Sequence, residues 1–124
     1  MLTDKSTYAT LPVADLDRAR RFYSETLGIE EQMATEGGVM YSSGGTSFFV
    51  YPSRTRPAGH TQMSWRVADI KNEVAELRAH GIELERFEIP GVESEHGINH
   101  VGPNVWTAWF KDPDGNLLGL TQIG

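Results

Sequence analysis

Side chains able to move protons or hold a metal gather between positions 93 and 100, where Glu93, Glu95, His96 and His100 occur together. Carboxylates beside imidazoles suit either an acid-base pair or a divalent ion, so Glu93, His96 and His100 are the candidate catalytic residues. The plainer reading, and the favoured one, is a solvated, mobile loop pivoting on Gly91, Gly97 and Gly102, although long loops beside clefts also act as lids. His60 follows Pro57-Ala-Gly59 and reads better as the start of a strand than as a ligand. Arg66 suits a carboxylate, phosphate or enolate oxygen, or equally a structural ion pair. There is no cysteine, no Gly-X-Ser-X-Gly and no phosphate-cradling glycine loop, so no nucleophile stands in a recognisable setting.

The elements that must position these groups follow from composition and periodicity. The 124 residues, 39% hydrophobic and 23% charged, have the balance of one compact soluble domain over residues 1–124. A net charge of −6 without a basic cluster argues against nucleic acid or an anionic membrane as partner, and tolerates a small or cationic one. No apolar run approaches the ~20 residues of a membrane span, and Met1 to Tyr8 lacks an export-signal pattern, so the cytoplasm is the expected compartment.

Tyr8 to Val13 reads as a strand, Asp15 as a helix cap, and Leu16, Ala19, Phe22, Tyr23 and Leu27 as one helical face closed by Gly28. Three strands follow, at 29–33, 38–41 and 46–51. The order then repeats. Val13-Ala-Asp-Leu16 returns as Val67-Ala-Asp-Ile70 at an offset of 54, Gly28 returns as Gly81 at 53, and Gly45 returns as Gly115 at 70. The chain therefore reads as an α+β fold of two tandem βαβββ modules, about 7–52 and 60–122. The second carries roughly 16 extra residues, at about 90–104. The last two strands flank the Asp112-Pro-Asp-Gly115 turn.

Strand alternation assigns faces. Leu11, Val13, Phe48, Val50, Met63, Trp65, Val67, Leu118 and Leu120 make the face that the helices cover. The opposite, open face receives Tyr8, Thr10, Pro12, Ser47, Phe49, Tyr51, Gln62, Ser64, Arg66, Leu117, Gly119 and Thr121. A two- or four-residue connection through Asp112 to Gly115 would add Trp106, Ala108 and Phe110 to it. Tyr8, Phe49, Tyr51 and Trp106 could enclose a flat or cationic ligand, or could simply fill space.

The duplicated plan, the Val13-Ala-Asp-Leu-Asp-Arg-Ala-Arg-Arg-Phe-Tyr-Ser-Glu-Thr-Leu-Gly28 segment and the Trp109-Phe-Lys-Asp-Pro-Asp-Gly-Asn116 segment together resemble the vicinal oxygen chelate superfamily. That superfamily includes glyoxalase I, bleomycin-resistance proteins and extradiol dioxygenases. The resemblance implies a curved mixed sheet around a cleft, a homodimer, and in the enzymes a divalent metal held by four side chains. Those four positions fall on Tyr8, Phe49, Gln62 and Gly119. Only Gln62 could coordinate, so no metal and no cofactor is expected. The resemblance thus points to a metal-free protein that binds a small organic molecule in an aromatic-lined cleft. The alternative is a lyase, isomerase or dioxygenase-type enzyme working through residues 93–100 with Arg66, or through a metal site rebuilt from His60, Gln62 and that loop.

Overall fold

The computed structural model describes residues 1–124 and separates into two units, Met1–Pro57 and Ala58–Gly124. In the first, β1 (Ala9–Val13) leads through Asp15 into α1 (Leu16–Arg20). The Asp15 carboxylate accepts the Arg18 amide at 3.1 Å, satisfying one of the free N–H groups that every helix start exposes. Helix α1 widens into a π-helical turn over Arg21–Thr26, where the Leu27 amide reaches back five residues to the Phe22 carbonyl at 2.9 Å. A π-turn absorbs one extra residue. That residue accounts for the helix caps repeating at 54 and the closing glycines at 53.

Strands β2 (Glu30–Thr35), β3 (Gly38–Ser43) and β4 (Thr46–Pro52) complete the unit. The sheet order is β1-β4-β3-β2, with β1 parallel to β4 and the rest antiparallel. Leu11, Val13, Val39, Tyr41, Phe48 and Val50 are buried together with Tyr23. Tyr23 meets Phe48 edge-on at 5.6 Å, and Phe48 stacks on Tyr41 at 5.2 Å. Such aromatic pairs add to what apolar burial alone contributes.

An ion pair ties α1 to the edge strand. Arg20 donates twice to Glu31, at 2.7 and 2.9 Å, and the Ser24 hydroxyl donates to the same carboxylate at 2.8 Å. The Arg20 hydrogen bonds, then the Ser24 bond, hold the Glu31 carboxyl below its ordinary range against an opposing effect of burial. Burial likewise pushes the Tyr41 hydroxyl up, so it stays neutral. Because the folded Glu31 value is depressed, its stabilisation is complete above the unfolded glutamate value of about 4.3 and fades as pH falls through the lower folded value. Wild type is therefore expected to exceed Glu31→Gln in urea midpoint at neutral pH, with the gap narrowing only below about pH 4.3. A gap constant down to pH 2 would remove the ion pair from the account.

The second unit contains β5 (Thr61–Arg66), α2 (Ile70–Ala79), β6 (Leu84–Glu85), β7 (Glu93–Glu95), β8 (Ile98–Gly102), β9 (Val105–Lys111) and β10 (Leu117–Ile123). Asp69 caps α2 through the Asn72 amide at 3.2 Å, and the Gln122 side chain accepts the Ile70 amide at 2.8 Å. The order β5-β10-β9-β8-β7, with β5 parallel to β10, repeats the first sheet. Each module thus builds its own mixed sheet. The difference lies along one edge of β9, where β8 pairs with its start and β6 with its end.

Residues 93–102, expected as a solvated loop, form the hairpin β7–β8. His96 and Gly97 have φ of 54° and 81°, the left-handed pair that a two-residue hairpin turn needs to match strand twist. The turn is pinned from outside. Arg78 of α2 donates to the His96 carbonyl at 2.6 Å, and a Cβ on Gly97 would stand 2.7 Å from Leu84 Cδ1. Asn99 is buried, accepting from Ser94 and donating to the Thr107 carbonyl at 3.3 Å. Glycine content alone suggested mobility, and these tertiary contacts override it.

Candidate functional site

The connection from β9 to β10 decides which side chains can share a site. Lys111 pairs with Leu117, so residues 112–116 form a five-residue loop rather than one of two or four. Its geometry is set by Asp112, which is buried and accepts the Asp114 and Asn116 amides, each at 2.9 Å, and the Asn116 side-chain amide at 2.7 Å. An odd loop reverses the parity. Phe110 pairs with Leu118 and Ala108 with Leu120, and both are buried on the helix-covered face, where Phe110 stacks on Trp65 at 6.0 Å. Trp106, Ala108 and Phe110 therefore do not line the open face, contrary to the expectation from a two- or four-residue loop. Thr107 and Trp109 replace them.

On the open face of the second sheet, register places Gly119 between Ser64 and Trp109, and Thr121 between Arg66 and Thr107. Gln62 precedes Ser64 on the same strand, beside an irregularity in the β5–β10 register. Trp109 donates its indole N–H to Thr61 at 2.9 Å. Arg66 and Ser64 are exposed, so the guanidinium is available to a ligand but is not desolvated. The Gln62 side-chain oxygen and the Thr107 hydroxyl are buried and have no hydrogen-bond partner. A buried acceptor without a donor costs about 1–3 kcal/mol, which turning the side chain toward a guest's donor would recover.

On the open face of the first sheet, Thr10 pairs with Phe49 and Pro12 with Tyr51. The Phe49 and Tyr51 rings stack at 5.9 Å with planes only 8° apart. The Phe49 ring also lies over Gly38, where a Cβ would meet it at 2.5 Å. Tyr8 stands just ahead of β1 and is 54% exposed.

The four positions that resemblance assigns to a metal do not fit one. Phenylalanine and glycine supply no ligand atom at 49 and 119, and tyrosine at 8 is a poor ligand while neutral. A Cβ at 119 would stand 2.5 Å from the Ser64 hydroxyl, which occupies the space a carboxylate stem would use. No three His, Asp or Glu side chains within the chain are grouped to hold a metal ion. His60 is exposed, with its ring nitrogen 3.1 Å from the Thr61 carbonyl.

The remaining candidates occupy the other side of the second sheet. Glu93 pairs with His100 and His100 with Trp106, whose rings stack at 4.9 Å. Together with His96 they border a cavity of about 760 Å³ beside α2. Arg66 lies on the opposite face, so the sheet separates it from Glu93, His96 and His100.

Two repeated modules, each with a helix on one face of a mixed sheet and a bare opposite face, define a glyoxalase-type α+β fold. The chain belongs to the glyoxalase/bleomycin resistance protein/dioxygenase superfamily, whose family model matches residues 5–120. A glyoxalase family protein from Bacillus anthracis is similar in structure, with TM-score 0.74, 23% identity and full coverage of both chains. A lactoylglutathione lyase from Agrobacterium tumefaciens has TM-score 0.71 at 18% identity, covering 97% of this chain and 95% of its own. A genomically encoded fosfomycin resistance protein from Listeria monocytogenes has TM-score 0.72 at 15% identity, covering 98% and 94%. At such identities the likeness establishes the fold alone. A comparison with curated protein sequences finds no match. No helix is long and apolar enough to cross a membrane.

Proposed function

We propose that this chain is a metal-free binding member of the superfamily that takes a small organic molecule against the open face of its second sheet, as a homodimer. The observation that carries this reading is the buried, partnerless oxygen of Gln62 beside Ser64 and the equally partnerless Thr107. An acceptor held in that state suits a guest bearing an N–H or O–H donor. Trp109 offers a flat apolar surface for an aromatic or cationic guest there, and Arg66 is available to an anionic group; the Phe49–Tyr51 stack gives the first unit's open face an aromatic surface of its own. Acid-base catalysis combining Arg66 with Glu93 to His100 loses its geometric basis, because the two groups lie on opposite faces.

The test is a thermal-shift screen with small aromatic, cationic and hydrogen-bond-donating molecules, repeated on Gln62→Met. Removing the unsatisfied oxygen is expected to raise the stability of the unliganded protein by about 1 kcal/mol, roughly 3 °C in Tm, while reducing the shift produced by any guest. A library that stabilises nothing, or guests indifferent to Gln62→Met, would sink the reading. Stoichiometric transition metal in protein purified without chelator would overturn its metal-free part.

A further inference from the structure

The internal repeat provides a comparison within one chain. In the first unit, Asp17, Arg20, Arg21 and Glu31 line a shallow crevice of about 330 Å³, bridged by the Arg20–Glu31 ion pair. At the offset of 54 set by the helix caps, these three positions become Lys71, Val74 and Ala75. All three line the corresponding crevice of the second unit, which opens to about 760 Å³. The bridging arginine has become a buried valine, Leu84 of β6 stands where Glu31 stood on the edge, and the inserted β7–β8 hairpin extends that edge along the start of β9. Arg78 meets that hairpin only at its turn, through the His96 carbonyl. The second unit thus carries, in place of a small shallow crevice, a groove of the size that small ligands occupy.

Its walls differ in charge. Lys71 and Arg78 stand two helical turns apart on α2, while Glu93 and Glu95 project from the hairpin. Neither Lys71 nor Glu93 has an ion-pair partner. Between the walls lie Val74, Ile98 and Trp106, with the His100 imidazole stacked on the indole at 4.9 Å and 7°. A cationic wall, an acidic wall and an aromatic floor match a guest carrying both charges and a ring. We propose that this groove is a second binding site, separate from the open face, for an aromatic zwitterion of amino-acid size. Its carboxylate meets Lys71 and Arg78, its ammonium meets Glu93, and its ring lies against Trp106.

Titration of the 15N-labelled protein with L-phenylalanine, followed by amide and indole resonances, tests this directly. Saturable shifts are expected at Val74, Ala75, Ile98 and the Trp106 indole. Phenethylamine and 3-phenylpropanoate, each lacking one charge, are expected to bind about ten-fold more weakly, as is L-phenylalanine to Lys71→Met or Glu93→Gln. Ala75→Phe fills the groove from an exposed helical position and is expected to abolish the shifts without altering the fold, whereas Gln62→Met leaves them unchanged. Absence of saturable shifts at these residues, equal binding of the three probes, or unchanged binding by Ala75→Phe would each overturn the proposal.

Discussion

Asp112→Ala is expected to lower folding stability by about 3–5 kcal/mol, among the larger losses a single substitution produces. Asp112 is 4% exposed, and its carboxylate accepts hydrogen bonds from the Asp114 amide and from both the backbone and side-chain amides of Asn116. Asn116 is fully buried, so truncation takes a charged acceptor away from donors that water does not reach, which costs more than losing an exposed bond. Asp112→Asn should fall between, because it keeps an acceptor for the backbone amides but turns a donor toward the Asn116 side chain. Pro113→Ala, exposed in the same loop, should cost no more than about 1 kcal/mol. Urea unfolding of the three variants measures these differences. An Asp112→Ala midpoint matching that of Pro113→Ala would show that the loop closes without the carboxylate. The consequence reaches the site, since this loop sets the parity that puts Thr107 and Trp109 on the open face.

Gly38→Ala is expected to cost about 3 kcal/mol, or roughly 10 °C in Tm. Gly38 has a φ of 146°, which L side chains rarely adopt, and an added Cβ would stand 2.5 Å from the Phe49 ring and 2.7 Å from the Val50 carbonyl oxygen. The ring could swing aside, but the carbonyl belongs to the β3–β4 ladder and could not. The double variant Gly38→Ala/Phe49→Ala should therefore recover only part of the loss. Full recovery would mean that the ring alone forbids the side chain. Phe49 occupies one of the four positions that resemblance assigns to metal ligands, and the bare Gly38 backbone is what lets its ring lie flat there.

Much of the fold was legible in the chain. The two capping aspartates, the apolar helical faces and the repeat at 54 residues depend on local chemistry, and the helices and inner strands formed where that chemistry placed them. Faces along β1, β4, β5 and β10 were likewise readable, because alternation within one strand needs no knowledge of its neighbours. The absence of ligand side chains at 49 and 119 is a matter of residue type, and no conformation could change it.

Only the tertiary structure settled what depended on parity and on contacts distant in sequence. Trp106 exchanged places with Thr107 and Trp109 because Asp112 and Asn116 close an odd loop, and one residue of loop length turns every side chain of the preceding strand over. Glu93, His96 and His100 became one wall of a groove because Arg78 and Leu84 fix a glycine-bearing hairpin against α2. Those contacts span 18 positions (Arg78 to His96) and 13 (Leu84 to Gly97), beyond the reach of any local pattern, and the sheet itself stands between the hairpin's charges and Arg66.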